Sequence, residues 1–449
     1  MSVAGVNVSD VLHAVRRYLD VVPGEEMFVV ATLVTAVSKA LTREEPLWLF
    51  LIGASGGGKT EAIRLLDLVA DRRVDELTRA GLLSRDKKGR RVGLLTKVPP
   101  QALITISDFS TVATMGDREA RARMYGMLRV VYDGHVYRSI GGEVAGDEEL
   151  EWSGHLTLIA GATPTIDSHT SAEAALGERW LTIRLPESSA ERSRRRARFV
   201  ADREDIPELR ETAQSLVLDL ILEARRRVPA KLSRDHVGRL VDLATFVSHA
   251  RTGVEYEGQG RGRVVVDVPT PEEPTRLIGQ LVRFARCAVA LGLDAEQALE
   301  LTAKVAIDSV PLARMRALRA VVDAGNRGCT VADVHQALIR GNRWAAIWQL
   351  DALEAIGLVD LQGPTRDEDP KAVRVYVIAD EYRDVCESVA SSSSSETEME
   401  GVSGGAADGF AHPNGASGAL SGEFPEDERP PWTDEEVADE LVLQEGLAR

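Results

Sequence analysis

The segment GASGGGKT, from Gly53 to Thr60, limits what this chain can fold into more than any other stretch. It matches the pattern G-x-x-x-x-G-K-[ST] in full, between the apolar run PLWLFLIG and the helix-like stretch TEAIRLLDLVA. In such a strand–loop–helix unit, glycines let backbone N–H groups close around a phosphate at the start of a helix. The pattern therefore predicts a nucleotide-binding loop at the end of a buried strand.

The polar positions of this loop have predicted parts in binding ATP and Mg²⁺. Lys59 is expected to reach the β- and γ-phosphates, and the Thr60 hydroxyl is expected to bind Mg²⁺. The whole loop forms the predicted binding set: Gly53, Ala54, Ser55, Gly56, Gly57, Gly58, Lys59 and Thr60. A glycine-rich turn with an incidental lysine is the alternative, and the flanking strand and helix patterns argue against it.

A single carboxylate, Asp108, ends the apolar stretch LITIS, which predicts another buried strand. Because a carboxylate at the end of a nearby strand sits close to Mg²⁺ in P-loop proteins, Asp108 is predicted to bind the metal. The alternative role is a helix cap, since the polar stretch that follows is helix-like. Phe109 stands directly after Asp108, where many ATPases have a second acid.

Thr163 and Arg179 complete the predicted catalytic set, and Arg276 is added to the predicted ATP-binding residues. Thr163, at the end of a third apolar stretch, is placed to polarise an attacking water, or is a simple turn residue before proline. Arg179 precedes a fourth strand and is the candidate arginine finger for a neighbouring subunit's ATP. Arg184 is the alternative finger, and a surface salt bridge is the other interpretation of Arg179. Arg276 begins a long amphipathic helix and is predicted to contact the γ-phosphate.

The chain divides by pattern into four regions. Residues 1–188 alternate apolar strands with helical patterns after N-terminal helices, which predicts an α/β domain with a parallel sheet. Residues 189–310 have helical spacing nearly throughout, and their basic run ERSRRRAR is expected to be a solvated helix face or to face a pore. Residues 311–386 follow the order of a winged helix-turn-helix. Residues 387–449 are rich in serine, glycine and acid, which is typical of disorder.

Charge is concentrated in the last of these regions. From residue 387 on there are 15 acidic residues and two arginines, so this tail carries −13 of the total net charge of −16. The rest carries only −3, which permits nucleic-acid binding. Solvated disorder is the expected state of the tail, and a partner-recruiting peptide is the alternative. No apolar run reaches about 18 residues and the N-terminus lacks signal-peptide features, so we expect a cytoplasmic protein without a membrane span.

The predicted winged helix carries residues suited to DNA. Its second helix, which enters the major groove in this motif, starts with Arg340, Asn342 and Arg343. Arginine and asparagine are suitable for base edges. The predicted wing adds Arg366 and Lys371, although acids between them would repel phosphates. DNA is the predicted partner, and a protein-contact module is the alternative.

The order of these motifs resembles that of AAA+ ATPases, over about residues 25–380. It is similar to the group with a hairpin before the sensor strand, which includes MCM replicative helicases, MoxR-type ATPases and bacterial enhancer-binding activators. MLRVVYDGHVYRSIGG resembles the helix and hairpin of those activators, AGATP stands where MCM proteins have Ala-Asn-Pro, and LGERW where they have the finger arginine. The chain also resembles uncharacterised phage and mobile-element AAA+ proteins that end in a winged helix. The resemblance implies a ring-shaped homo-oligomer, a helical lid, and Arg276 on the sensor-2 helix.

The sequence departs from that family at the Asp-Glu-Phe motif, which aligns with Ser107, Asp108 and Phe109. Either Ser107 replaces the metal-associated Asp and Asp108 stands in for the catalytic Glu, or Asp108 is the metal ligand and Phe109 replaces the Glu. Thr163 also replaces the usual Asn. The first expectation is an ATPase in replication or remodelling of phage or mobile-element DNA. The alternatives are a nucleotide-gated DNA-binding regulator with slow turnover and a MoxR-like chaperone.

Overall fold

The computed structural model describes residues 5–21, 25–41, 44–86, 88, 90–138, 150–168, 179–187, 189–201, 203, 205–228, 230–258, 263–338, 341–364 and 373–386. Three residues predicted to bind DNA, Arg340, Arg366 and Lys371, lie outside these ranges, as does the acidic tail. In the described part of the chain, no helix is both long and apolar enough to cross a membrane.

The described strands, in chain order, are β1 (Trp48–Ile52), β2 (Arg72–Val74), β3 (Ser84–Arg85), β4 (Arg91–Val92), β5 (Gln101–Ile106), β6 (His135–Arg138), β7 (Leu150–Ser153), β8 (His155–Ala162), β9 (Trp180–Arg184), β10 (Glu255–Glu257), β11 (Val264–Asp267), β12 (Cys329–Thr330), β13 (Val359–Gln362) and β14 (Val375–Ile378).

The described α-helices, in chain order, are α1 (Val8–Arg16), α2 (Met27–Val37), α3 (Lys59–Arg64), α4 (Arg79–Leu82), α5 (Ser110–Ala113), α6 (Arg118–Tyr132), α7 (Ala190–Ala201), α8 (Ile206–Arg227), α9 (Arg234–Ala250), α10 (Thr275–Leu291), α11 (Ala295–Asp308), α12 (Leu312–Ala324), α13 (Val331–Ala337) and α14 (Arg343–Ala355).

A five-stranded sheet forms the centre of the fold, in the order β2-β5-β8-β1-β9, and its strand pairs are parallel. This confirms the predicted α/β parallel sheet. The apolar runs of β1, β5 and β8 are buried on both sides, which is why they lack the apolar–polar alternation of a half-exposed strand. All the carboxyl ends of parallel strands lie at one edge, so the residues that follow β1, β5 and β8 are neighbours.

The two faces of the sheet belong to two cores, as the alternation of side chains in a strand requires. Leu49 and Leu51 pack with α1, α2 and the helices α8 to α11. Trp48, Phe50 and Ile52 pack on the other face with α5 and α6. Residues with helical spacing in the sequence therefore cover both faces, and the first core continues into the helices α12 to α14.

The C-terminal module, residues 312–386, contains three helices and the antiparallel sheet β12-β14-β13. Thr330 caps α13 and exchanges hydrogen bonds with Asp333, as its position before the helix predicts. The module is fixed to the preceding helices by the buried Arg314, whose guanidinium donates to the backbone oxygens of Ala250 at 2.9 Å and Thr252 at 2.5 Å. Because these carbonyls lie at the end of α9 and just after it, the module and the helical region are held together by paired polar groups.

Among the described residues, two hairpins lie outside the larger sheets, besides the short antiparallel pair β3–β4. β6 and β7 pair in antiparallel fashion before the sheet strand β8, where the sequence predicts a hairpin. β10 and β11 form a second hairpin between α9 and α10, where the sequence predicts a loop or small hairpin. Tyr256 of this hairpin donates a hydrogen bond to the Trp348 carbonyl at 3.0 Å, so the hairpin lies against α14 of the C-terminal module.

Candidate nucleotide site

The loop of residues 53–60 connects the end of β1 to the start of α3. Gly53 extends the sheet by donating to the Ala162 carbonyl at 3.2 Å, and Gly57 donates to Ala54 at 3.0 Å to close the turn. Gly56 and Gly58 have φ angles of 73° and 101°, which side chains other than glycine rarely adopt. The glycines therefore allow a tight loop whose backbone curls back over the end of β1.

Lys59 is held against the carbonyl groups of its own loop. Its Nζ donates to the Gly53 oxygen at 2.5 Å and to the Ala54 oxygen at 2.8 Å. Burial lowers the pKa of Lys59 below its usual value, and the negative charge of Asp108 opposes this shift. The structure therefore brings Lys59 and Asp108, two predicted site residues, within electrostatic range of each other.

Asp108 and Thr163 are joined through Ser110, a residue that the sequence did not single out. The exposed Asp108 side chain accepts the Ser110 N–H at 2.8 Å. The Ser110 hydroxyl accepts the Thr163 N–H at 2.9 Å and lies 3.0 Å from the Thr163 hydroxyl. Asp108 thus also organises the turn into α5, in line with the alternative cap role. The Thr163 hydroxyl also forms a hydrogen bond with the Thr165 hydroxyl, with 2.6 Å between the two oxygens.

The residues on either side of Asp108 do not supply a second acid to this edge. Phe109 is fully buried and its ring packs against Phe50, with centroids 5.1 Å apart, and against Trp180 at 5.4 Å. The Ser107 hydroxyl donates to Asp75, which follows the edge strand β2, at 2.6 Å. The position after Asp108 is therefore a core position, and Asp108 provides the carboxylate that faces Lys59.

A cavity of about 340 Å³ adjoins the loop. Residues 56–61 form one side, and residues 18–20, which follow α1, form another. Arg196 and Val200 of α7 and Ile206 and Arg210 of α8 complete the walls. The volume of this cavity lies at the lower end of the usual range for a small-molecule site. The loop residues that are predicted to bind phosphate form part of its wall.

The basic helix α7 contributes to this cavity because ion pairs hold it in place. Arg192 pairs with Glu25. Arg195 pairs with Asp20 at 3.0 Å. Helix α7 has no buried residue, in line with the expected solvated face, and two of its arginines also pair with acids that follow α1. The sequence pattern of α7 gave no signal for this long-range pairing.

Arg179 and Arg276 lie together, away from the loop of the same chain. Arg179 directly precedes β9, whose Trp180 pairs with Trp48 at the start of β1. With a rise of about 3.3 Å per residue, its backbone is roughly 20 Å from Gly53 along the strand. Arg276 lies one turn before Gln280 in α10, and the Gln280 side chain donates to the Arg179 carbonyl at 2.7 Å. Burial lowers the pKa of Arg129, and the charges of Arg179 and Arg276 lower it further.

The Arg179 side chain is engaged within its own subunit. It donates to the Asp133 carboxylate at 3.1 and 3.2 Å and lies over the Tyr132 ring. Arg179 is only 8% exposed, whereas its partner Asp133 lies at the surface. The salt bridge is therefore exposed on its acidic side and buried on its arginine side. Arg276 is paired with Glu272 at 2.7 Å and is more accessible.

Arg184, the alternative finger, has its guanidinium committed to structure. It forms two bonds of 2.8 Å with the Asp167 carboxylate and donates to the backbone oxygens of Asp308 and Val310. These contacts join β9 to the end of α11. Its donors are therefore used inside the chain, by two structural elements at once.

Two predicted DNA contacts lie within the described residues. Asn342 caps α14, since its side-chain oxygen accepts the Ala345 N–H at 3.0 Å, and Arg343 next to it is exposed. Trp348 lies further along α14. The guanidinium of Arg263, which precedes β11, is 5.1 Å from the Trp348 ring and 4.0 Å from the Tyr256 ring. The β10–β11 hairpin therefore covers part of the surface of α14, and its first turn stays accessible.

The residues of the site fit a nucleoside triphosphate with Mg²⁺. The loop supplies backbone N–H groups and an ammonium group for phosphates, and Thr60 and Asp108 supply oxygen atoms, which Mg²⁺ prefers as ligands. The described residues contain no separate cluster of three or more His, Cys, Asp or Glu side chains for a metal ion. A metal carried by the nucleotide and one or two protein oxygens agrees with this composition.

No protein-family model matches the chain, and no curated protein matches it. Among solved structures, the chain is similar to a full-length MCM homolog from Methanopyrus kandleri, with 14% sequence identity and a TM-score of 0.38. The similarity covers 67% of this chain and 58% of that one, so the chain matches less than two thirds of the length of this neighbour.

Proposed function

We propose that this chain is an ATPase of the AAA+ type that binds ATP and Mg²⁺ and acts as a homo-oligomer on DNA. One observation carries the proposal. The loop after β1, Asp108 after β5 and Thr163 after β8 lie at one edge of a parallel sheet, and the loop itself lines a cavity of about 340 Å³. Ligands of open α/β sheets bind at this edge of the strands.

Each residue of this edge has a chemical task in the proposal. The loop N–H groups cradle the phosphates, and Lys59 exchanges the Gly53 and Ala54 carbonyls for phosphate oxygens. Thr60 and Asp108 hold Mg²⁺, which when bound neutralises negative charge on the phosphates. Thr163 orients a water through its hydroxyl. Because Lys59 changes its hydrogen-bond acceptors in this step, the loop with bound nucleotide differs in structure from the loop without it.

We further propose that Arg179 and Arg276 act on the ATP of a neighbouring subunit. Their distance from the loop of their own chain supports this, as does their grouping with Arg129. Arg179 would exchange Asp133 for phosphate when the subunits meet. A positioned arginine of this kind contributes about 10³–10⁵-fold to hydrolysis in related phosphoryl-transfer sites.

Mixed assemblies test this arrangement. Lys59→Ala removes the loop lysine and Arg179→Ala removes the finger, so each variant alone is expected to be inactive. In a mixture, a Lys59→Ala subunit can present its intact Arg179 to a neighbour with an intact loop, and part of the activity should return. Absence of any recovery, with mixed assembly shown by cross-linking, would contradict action between subunits.

The C-terminal module supports a DNA-directed role as a winged helix, with residues 1–188 as the AAA+ domain, 189–310 as its helical lid and 387–449 as an acidic tail. Because the β10–β11 hairpin covers part of α14, the proposed contacts come from the start of the helix, at Arg343, and from Arg366 and Lys371, which lie outside the described residues. Replication or remodelling of phage or mobile-element DNA is the proposed setting.

A second candidate, a nucleotide-gated regulator, is favoured by the burial of Phe109. With Asp108 as the carboxylate facing Lys59, slow hydrolysis and long-lived ATP binding are the alternative outcome. ATP turnover measured with and without DNA separates the two. A rate that DNA raises and Lys59→Ala abolishes supports the motor, and tight binding without turnover supports the regulator. If Arg343→Ala leaves the salt-sensitive retention of the protein on DNA unchanged, a chaperone-like protein is favoured.

A further inference from the structure

The cavity beside Lys59 has a buried hydroxyl group on its wall. Tyr18, two residues beyond α1, is 2% exposed and lines the cavity. Its hydroxyl makes no hydrogen bond to any of the residues that the structure describes. A buried hydroxyl without a partner lowers stability, and few such groups persist in natural proteins without a reason. Tyr18 therefore carries an unused hydrogen-bonding group within a residue that lines the cavity.

The surroundings of Tyr18 differ from those of the phosphate loop. Leu19 and Ile206 add apolar surface to the same cavity. Arg210 pairs at 2.8 Å with Glu61, which also pairs with Arg64, and the guanidinium carbon of Arg210 lies 6.0 Å from the Tyr18 ring. A wall of aromatic, aliphatic and guanidinium groups suits a flat heterocycle, since bases stack on aromatic rings and guanidinium planes.

The Tyr18 hydroxyl stays protonated in this environment. Burial raises the pKa of Tyr18 far above its usual value, and the negative charge of Glu61 acts in the same direction. The group can therefore donate a hydrogen bond throughout the physiological pH range. A ring nitrogen of a purine base is an acceptor that a hydroxyl donor can recognise, whereas a triphosphate is already matched by the loop.

We propose that Tyr18 recognises the base of the bound nucleotide, through a hydrogen bond from its hydroxyl to a purine ring nitrogen, and that Arg210 borders the base. This inference rests on the proposed function, because it requires a nucleoside triphosphate on the loop. It adds a residue that determines specificity and that no loop motif would identify. The base then completes the hydrogen bonding of Tyr18, while Lys59 binds the phosphates.

Direct binding to the full-length protein tests the proposal with two probes. ATP carries the base, and inorganic tripolyphosphate carries only the phosphates. For Tyr18→Phe, we expect ATP to bind roughly five- to tenfold more weakly and tripolyphosphate to bind as it does to the wild type. Tyr256→Phe is the matched control, since it removes a hydroxyl far along the chain, and it should change neither affinity.

A second measurement separates recognition from a structural role. Because the Tyr18 hydroxyl has no partner in the described chain, Tyr18→Phe should melt at the same temperature as the wild type or higher when no nucleotide is present. Unchanged ATP affinity, or an equal loss for ATP and tripolyphosphate, would overturn the inference while the wild type still binds both. If the wild type binds neither probe, the proposed function itself fails.

Discussion

Replacing Asp108 by asparagine should remove a charge from the site while leaving its shape intact. One oxygen of the exposed Asp108 side chain accepts the Ser110 N–H at 2.8 Å, and an amide oxygen can accept the same bond. We therefore expect the free energy of unfolding to change by less than about 0.5 kcal/mol. Loss of the carboxylate removes a proposed Mg²⁺ ligand. If it also acts as the base, hydrolysis should slow by about 10²–10⁴-fold.

The assay compares ATP affinity in Mg²⁺ and in EDTA, together with the rate of phosphate release. The wild type should bind ATP more tightly with Mg²⁺, and Asp108→Asn should lose most of that difference. Asp75→Asn is the matched control, because Asp75 is an exposed carboxylate after the neighbouring strand β2 that contacts the Ser107 hydroxyl and Arg73. An Asp108→Asn variant with the Mg²⁺ dependence and rate of the wild type would refute this assignment.

Three further perturbations probe the same framework. Phe109→Ala should cost about 3–5 kcal/mol in guanidinium unfolding, since the fully buried ring packs on Phe50 and Trp180, and a loss below about 1 kcal/mol would contradict its core role. Only the protonated Lys59 attracts phosphate, so its lowered pKa predicts weaker ATP binding as the pH rises. This weakening should begin at lower pH in Asp108→Asn and disappear in Lys59→Arg, and identical pH profiles for all three proteins would contradict it. Tyr256→Ala should speed hydrogen exchange in α14, and unchanged exchange would show that the hairpin does not protect the helix.

The central sheet was predictable because parallel strands buried on both faces leave continuous apolar runs in the sequence. The loop of residues 53–60 was predictable because phosphate binding demands glycines and a lysine at fixed spacing. The proximity of Asp108 and Thr163 also followed from strand order alone. These features depend on local pattern and on the common edge of parallel strands, and neither requires knowledge of distant contacts.

The walls of the cavity could not be predicted in the same way. Tyr18 and Arg210 are separated by almost two hundred positions, and only packing of α1 and α8 on the loop brings them together. Spacing assigns them to helix faces without saying which faces meet. The same holds for the arginines of α7, whose acidic partners lie far earlier in the chain. Ser110 was missed because a serine after a strand has no distinctive pattern.

The sequence also could not predict that the β10–β11 hairpin covers part of α14. The motif order predicts a helix free to enter a DNA groove, whereas Tyr256 and Arg263 lie against Trp348. A hairpin inserted between two helices carries no mark of the element on which it will pack. Sequence periodicity identified the helix and the strands, and tertiary packing decided which surface of the helix stays open.

Direct ATP binding to the wild type and to Lys59→Ala, measured by calorimetry in Mg²⁺, tests the central claim most directly. Lys59 contributes charge-assisted hydrogen bonds, each worth about 1.5–3 kcal/mol, so its loss should weaken binding by roughly 10- to 100-fold. The account predicts one ATP per wild-type chain and this loss in the variant. No measurable ATP binding by the wild type, or equal affinity in the two proteins, would contradict it.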